Sequence, residues 1–339
     1  MMNQLEVSHF YLRFFDVDWN PYEKEAFPVA SFHASNFDFP DNTSFTPAIF
    51  ITNNVIKNST NIALDSLAAR IIRKTRANIT DMIKSGAQSK ADAYCDLIQL
   101  GYSETRNRTY DSLKTVYAKA MRNNFQEILI DCDWSPQTRT SYFYLLERLK
   151  AGFPEFELSA TIRLWQYKYR EKAGIPPVDR GLLMCYSLEN PREYNVTNSI
   201  STLAEMKKYL DGPAYPKKLD IALPLFSWGV VFRANEFKGL LSKPEIGEYQ
   251  SDTLNFRETK KNLFVFKNDR VIGNTYFRYG DELRIEQLSK LELKEMAAYL
   301  QDHLKPASDS RITFFSWDTT YIKNYGIENL KTYYQVLHH

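Results

Sequence analysis

The segment that most restricts what this chain can fold into is Glu127-Ile128-Leu129-Ile130-Asp131-Cys132-Asp133-Trp134-Ser135, an apolar strand core running directly into two carboxylates. Side chains two apart on a strand share a face, so Leu129, Asp131 and Asp133 project one way and Ile128, Ile130 and Cys132 the other. A strand apolar on both faces and acidic only at its end fits the interior of a parallel sheet. In a (β/α)8 barrel one set of side chains packs beneath the helices. The other faces the barrel interior, with its carboxylates at the C-terminal rim where the active sites of that fold lie.

The rest of the chain repeats this rhythm. Runs rich in β-branched and aromatic residues predict strands at 9–16, 47–53, 127–133, 158–164, 181–187, 220–226, 283–287 and 312–317. Helical periodicity covers 62–83, 91–100, 110–123, 138–151, 200–210, 291–304 and 327–337. The alternation implies an α/β fold, a TIM-type barrel in a single domain over 1–339. Between 233 and 285 the pattern becomes irregular, and Leu263-Phe264-Val265-Phe266, Asn268-Asp269 and Val271-Ile272-Gly273 read as a β-hairpin in a late-loop insertion.

Composition narrows the function classes. The 43 basic and 41 acidic residues are interspersed, for a net charge of +2, so nothing marks a nucleic-acid surface. The densest basic run, Arg70, Arg73, Lys74 and Arg76, reads as a solvated helix face. Three scattered cysteines and five histidines, His33 and His339 among them, show no metal-ligand spacing, so neither a metal nor a cofactor is expected. With 22 Tyr, 22 Phe and 5 Trp, the chain has aromatics enough for a large core or a sugar-stacking cleft. No apolar run approaches the ~18 residues of a transmembrane segment, and the N-terminus lacks the basic and apolar regions of a signal peptide.

Candidate site residues cluster at strand ends: Asp16 and Asp18 with Trp19, Asn53 and Asn54, Asp131 and Asp133, Arg163 and Gln166, Tyr186, Trp228, then Trp317 and Asp318. Asp131 and Asp133 lead, because two carboxylates on the inner face of one strand are costly unless hydrogen-bonded or used. Arg163 is placed either to neutralise them or to meet substrate. Trp134, Trp228 and Trp317 offer ring faces for sugar stacking, though a large aromatic also serves as a barrel plug. Glu282, Arg284 and Glu286 alternate along a short strand; Glu286 is a candidate acid, and a solvated strand face is the alternative.

These segments resemble family 18 glycoside hydrolases, the chitinase-like barrels, whose fourth strand carries D-x-x-D-x-D-x-E. In this chain Ile128, Asp131, Asp133 and Ser135 occupy the four positions. The resemblance implies that Asp133 orients an acetamido group and that the final acid, the proton donor, is replaced by Ser135, whose hydroxyl has no acidic proton near neutral pH. The run from Leu182 to Tyr186 is similar to the family's sixth strand, Asp220 to Gly229 to the seventh, and Phe314 to Asp318 to the eighth. A closer resemblance is to an uncharacterised bacterial family of chitinase-like barrels, typically envelope proteins. It rests on Phe14-Phe15-Asp16-Val17-Asp18-Trp19, Phe50-Ile51-Thr52-Asn53, Ile130 to Trp134, Ser159 to Leu164, Pro176 to Gly181 and Ala222 to Trp228. In that family an export signal and one further strand usually precede the strand at 9–16, so the resemblance implies that both lie outside this sequence. On that count 127–133 is strand four and 283–287 belongs to the insertion.

Two functions stand side by side. One is a glycan-acting or glycan-binding barrel, a candidate glycoside hydrolase with a non-standard acid, its partner a poly- or oligosaccharide. The other is a non-catalytic carbohydrate-binding or scaffold protein of the cell envelope. A metal enzyme would need further oxygen ligands beside Asp131 and Asp133.

Overall fold

The computed structural model describes residues 2–29, 40, 42–101 and 103–338, which leaves His33 and His339 outside. It divides into two compact units, one of residues 1–161, 169–182 and 216–218, the other of residues 162–168, 183–215 and 219–339.

The first unit is built on β1 (His9–Asn20), β2 (Glu25–Val29), β3 (Ser44–Ile51), β4 (Glu127–Asp131) and β5 (Glu157–Arg163), in the order β5-β4-β3-β1-β2. Pairing is parallel from β5 to β1 and antiparallel between β1 and β2. The all-parallel arrangement expected of a (β/α)8 barrel therefore stops at β1 among the described residues. The cause is local: Asn20 Oδ1 accepts from the backbone N–H groups of Tyr22 and Glu23 (2.9 and 3.2 Å), an Asx turn that sends the chain back along β1. As expected, β4 is buried on both faces until Asp131.

The helices predicted over 62–83 and 91–100 are one helix, Asn61–Leu97. As far as Ile83 it buries Leu64, Leu67, Ala68, Ile71, Ile79, Met82 and Ile83 at helical spacing, and beyond Ile83 it buries only small residues, Gly86, Ala87, Ala91 and Cys95. Small side chains let the helix Glu104–Arg122 pack closely, and that packing outweighs the low helix propensity around Ser85-Gly86. Arg106 closes the turn between the two helices, donating to Asp96 (2.9 Å) and to the carbonyl of Leu100 (2.9 Å).

The second unit holds the end of β6 (Arg180–Met184), most of β7 (Lys218–Pro224) and an antiparallel body built from β8 (Trp228–Arg233), β9 (Glu236–Ser242), β10 (Phe256–Lys260) and β11 (Leu263–Phe266). The short pair β12 (Arg270–Ile272) and β13 (Thr275–Phe277) and the strand β14 (Glu282–Glu286) complete that body. Last comes β15 (Ile312–Phe315), parallel to β7. The five-stranded sheet runs β10-β11-β14-β8-β9 and has its own core of Val231, Tyr249, Phe256, Phe264, Phe266, Phe277, Leu283 and Ile285.

The hairpin expected between 263–266 and 270–273 does not form. Leu263–Phe266 pairs with β10 and β14, and Arg270–Ile272 turns back on Thr275–Phe277 instead. Phe264 and Phe266 share a face and are fully buried in the sheet core, a gain that a two-stranded hairpin could not supply. Asp281 fixes the end of the insertion by accepting both Arg233 Nε and Nη2 at 2.7 Å and the backbone N–H of Arg278 at 2.8 Å.

Candidate functional site

In the first unit the strand register sets Asp16, Phe50 and Asp131 in one cross-strand row. Arg13 donates to both carboxylate oxygens of Asp16, Nε at 2.6 Å and Nη2 at 2.7 Å, and lies over the Phe50 ring at 5.1 Å. The bulge at Phe14 puts Arg13 and Asp16 on the same side despite a spacing of three. The Asp16 hydrogen bond raises the Arg13 pKa against the opposing effect of burial, and the charges of Asp16 and Asp131 add to it. Asp131 accepts from Thr161 Oγ1 at 2.8 Å. Asp18 accepts from Thr52 Oγ1 (3.0 Å) and its neighbour's backbone N–H (2.8 Å), which ties the exit of β1 to that of β3.

Asp133 is exposed, and Cys132 between the two aspartates is buried. Burial, then Asp131 and Asp133, push the Cys132 thiol well above its ordinary range, so it stays a neutral hydrophobe. Ser135 sits against Thr138: its backbone N–H donates to Thr138 Oγ1 (2.9 Å), and that hydroxyl donates to Asn53 Oδ1 (2.7 Å).

Trp134, read as a substrate-facing ring, is core. It has 0% exposure, stacks on Tyr142 with centroids 5.1 Å apart, and donates its indole N–H to the carbonyl of Ala173 at 2.9 Å. The reason is strand alternation: an exposed residue 133 sends residue 134 to the helix side.

In the second unit four rings meet at strand ends. Tyr186, two residues past β6, stacks on Phe315 at 5.4 Å and 15° and meets Phe226 edge to face at 5.8 Å. Phe226, two residues past β7, also meets Phe315 at 5.6 Å and Trp228 at 5.3 Å, both edge to face. Phe315 is 50% exposed and Trp317, on the same exit, 41%. Phe226 and Phe315 carry no mark in the sequence beyond being aromatic at a strand end, and that signal was enough to have found them.

The remaining candidates make contacts within the fold. Gln166 is fully buried and its Oε1 accepts from the backbone N–H of Arg163 at 2.8 Å, so it caps a short helix and is withdrawn from substrate binding. Arg163 Nη2 donates to the carbonyl of Ser187 at 3.2 Å. Asp318 caps the helix Thr319–Tyr325 through Thr320 N–H (2.9 Å) and pairs with Lys243; the Lys243 hydrogen bond holds its carboxyl below the ordinary range.

Glu286 departs furthest from the sequence reading. It is 0% exposed and pairs with Arg284 at 2.7 Å, whose side chain is 6% exposed. Its second oxygen accepts from Ser199 N (2.7 Å), Ser199 Oγ (2.5 Å) and Trp228 Nε1 (2.7 Å). Arg284 donates onward to the carbonyls of Pro191, Glu193 and Tyr194 at 2.9 to 3.0 Å. Residues 282, 284 and 286 share one face of β14, and that face is a tether for residues 190–199, neither a solvated surface nor a free acid.

No protein-family model matches the chain, and no curated protein does. Solved structures resemble it in fold. A GH18 chitinase from Cycas revoluta, crystallised as a double mutant in complex with (GlcNAc)4, gives a TM-score of 0.50 at 13% identity, over 99% of this chain and 93% of that one. The chitinase-like agglutinin RobpsCRA from Robinia pseudoacacia gives 0.46 at 13% identity over 97% and 93%. The Bacillus cereus spore cortex-lytic enzyme SleL gives 0.47 at 13% identity over 98% and 68%. The chain thus has a mixed α/β fold similar to that of the Cycas chitinase.

Proposed function

We propose that this chain binds a poly- or oligosaccharide through the aromatic cluster of Tyr186, Phe226, Trp228 and Phe315, with Trp317 beside it. The observation that carries the reading is a half-exposed Phe315 packed on Tyr186 and Phe226, with Trp228 behind Phe226. Rings held in place by stacked and edge-to-face neighbours lose little entropy when a pyranose C–H face stacks on them. Binding is favoured over cleavage because the acids offered as proton donors are otherwise engaged: Asp18 closes strand exits, Glu286 holds a buried cation, and Asp318 is ion-paired. In the chitinase-like motif Ser135 stands where the acid belongs.

A second reading, hydrolysis with a non-standard acid, is favoured by the exposed Asp133 two residues beyond Asp131, the spacing found in the chitinase motif. One experiment separates the two. Purified protein is titrated with (GlcNAc)4 and with a panel of bacterial and plant polysaccharides, reading binding by calorimetry and product by chromatography. We expect binding without product, weakened about 2- to 10-fold by Phe315→Ala or Trp317→Ala, the worth of one aromatic contact. Product that disappears in Asp133→Asn while binding persists would establish the second reading, and no binding to any glycan would refute both.

A further inference from the structure

We propose that the helical hairpin of the first unit carries a site for a small, multiply charged phosphate compound, independent of the glycan reading. Between the helices Asn61–Leu97 and Glu104–Arg122 lies an open cavity of about 470 Å3, at which Lys84, Thr115, Lys119 and Arg122 are exposed. Its lining includes Lys84 and Gln88, one turn apart on the first helix, and Lys114, Thr115, Lys119 and Arg122 along one face of the second. Four cations and two neutral hydrogen-bonding side chains face a common space, and no carboxylate lines it.

The charges nearby do not cancel this. Lys114 is paired with Asp111 at 2.8 Å, and Asp81 precedes Lys84 by three residues on its helix. Among the described residues Lys84, Lys119 and Arg122 form no ion pair with a carboxylate. The basic run that stands out in the sequence behaves differently. Arg70 pairs with Glu25, Arg76 holds both carboxylate oxygens of Glu155 at 2.7 and 2.9 Å, and Lys74 lies over the Phe15 ring at 5.4 Å. The first helix thus engages Arg70, Lys74 and Arg76 in the fold, whereas, among the described residues, Lys84 on it and Lys119 and Arg122 on the second helix are without a carboxylate partner at the cavity.

The chemistry of the lining selects the ligand. Like charges gathered in one concavity repel, and a bound polyanion relieves that repulsion. A guanidinium presents a planar fork of N–H donors suited to phosphate oxygens, while ammonium groups supply point charges to any neighbouring oxyanion. Lys114 and Arg122 are eight residues apart, which is ~12 Å along a helix, a span that a single inorganic phosphate does not fill and a chain of two or three phosphates does.

The test uses the full chain and inorganic tripolyphosphate, by calorimetry at low salt and at physiological salt, with inorganic phosphate as the shorter anion. We expect one saturable site for tripolyphosphate, at least 10-fold weaker binding of phosphate, and affinity that falls with salt. Lys119→Glu/Arg122→Glu should lower affinity at least 100-fold, and Arg122→Lys about 10-fold, since the charge remains and the fork is lost. Arg73→Gln, an exposed cation more than two helical turns from the cavity, should change nothing. Unchanged circular dichroism and melting temperature in these exposed variants would show that the fold is intact. Absence of saturable binding, an equal loss in Arg73→Gln, or binding only to phosphatidylglycerol vesicles would overturn the proposal.

Discussion

Neutralising Glu286 is the sharpest test of how the second unit is held together. The carboxylate accepts four hydrogen bonds, one of them from Arg284, and neither side chain reaches solvent to any useful extent. In Glu286→Gln the amide oxygen can keep the contacts with Ser199 and Trp228, but the amide N–H2 then faces the Arg284 Nε–H, donor against donor. Arg284 loses its carboxylate and keeps only the three backbone carbonyls of 190–199. Removing one member of a buried pair costs ~3 to 5 kcal/mol because the remaining charge stays uncompensated. The assay is urea unfolding followed by Trp fluorescence and far-UV circular dichroism. We expect the midpoint to fall by ~1 to 3 M, taking a slope of ~1 to 3 kcal/mol/M and the lower end of that cost. The double variant Arg284→Met/Glu286→Gln should recover much of the loss, since both charges are gone. A Glu286→Gln protein within ~1 kcal/mol of the parent, or a double variant no better than the single one, would refute the tether.

Other perturbations read other parts of the molecule. Trp134→Ala should lose ~3 to 5 kcal/mol of stability as a large core deletion, and Trp134→Phe less, with glycan affinity unchanged in the folded fraction; a selective loss of binding would return Trp134 to the site. Burial alone would raise the Asp281 carboxyl, but Arg233 and then the Arg278 backbone N–H outweigh it and hold it low. A depressed folded-state pKa stabilises above the unfolded value of ~3.9 and is lost as pH falls through the folded one. Asp281→Asn should therefore lower the melting temperature at pH 7, with the gap closing below pH ~4; a gap that persists in acid would deny the ionic origin. Burial first, then Glu205, raises the Glu189 carboxyl. A raised pKa favours the fold below the unfolded value and is lost as pH rises, so Glu189→Gln should raise the melting temperature at pH 7 and not at pH 4, by melting curves at the two pH values.

How much could be read from the sequence depended on whether a residue's neighbours were close in the chain. β4 was legible because an apolar run buried on both faces allows few other structures, and its carboxylates at the end marked the exit. β2 and β9 were not, since β9 alternates exposed and half-buried residues like a polar loop and β2 depends on the turn at Asn20. Glu286 was misread for a related reason: alternation of charge along β14 is the same pattern whether the face meets water or a tether. The partner that decides, Ser199, is 87 residues away. The continuous helix Asn61–Leu97 escaped because beyond Ile83 it buries Gly and Ala, which carry almost no apolar signal of their own.

The engaged carboxylates bear directly on the proposed glycan reading. A general acid has to carry a proton near the working pH and keep it available to the leaving oxygen. Asp318 is held in the opposite sense by Lys243, and Asp16 is locked in a bidentate pair with Arg13. Glu189 does move upward, three residues beyond Tyr186, yet the groups that act on it are Glu205, Lys208, Glu286 and Arg284, which belong to the helix Leu203–Leu210 and to the tether. Stacking makes no such demand, since it needs only ring faces held in place, and Phe315 with its neighbours Tyr186 and Phe226 would supply them. On the proposed reading, the half-exposed Phe315 and Trp317 would meet the glycan while Asp16, Asp318 and Glu286 stay committed to ion pairs, which leaves the exposed Asp133 as the acid that the Asp133→Asn variant tests.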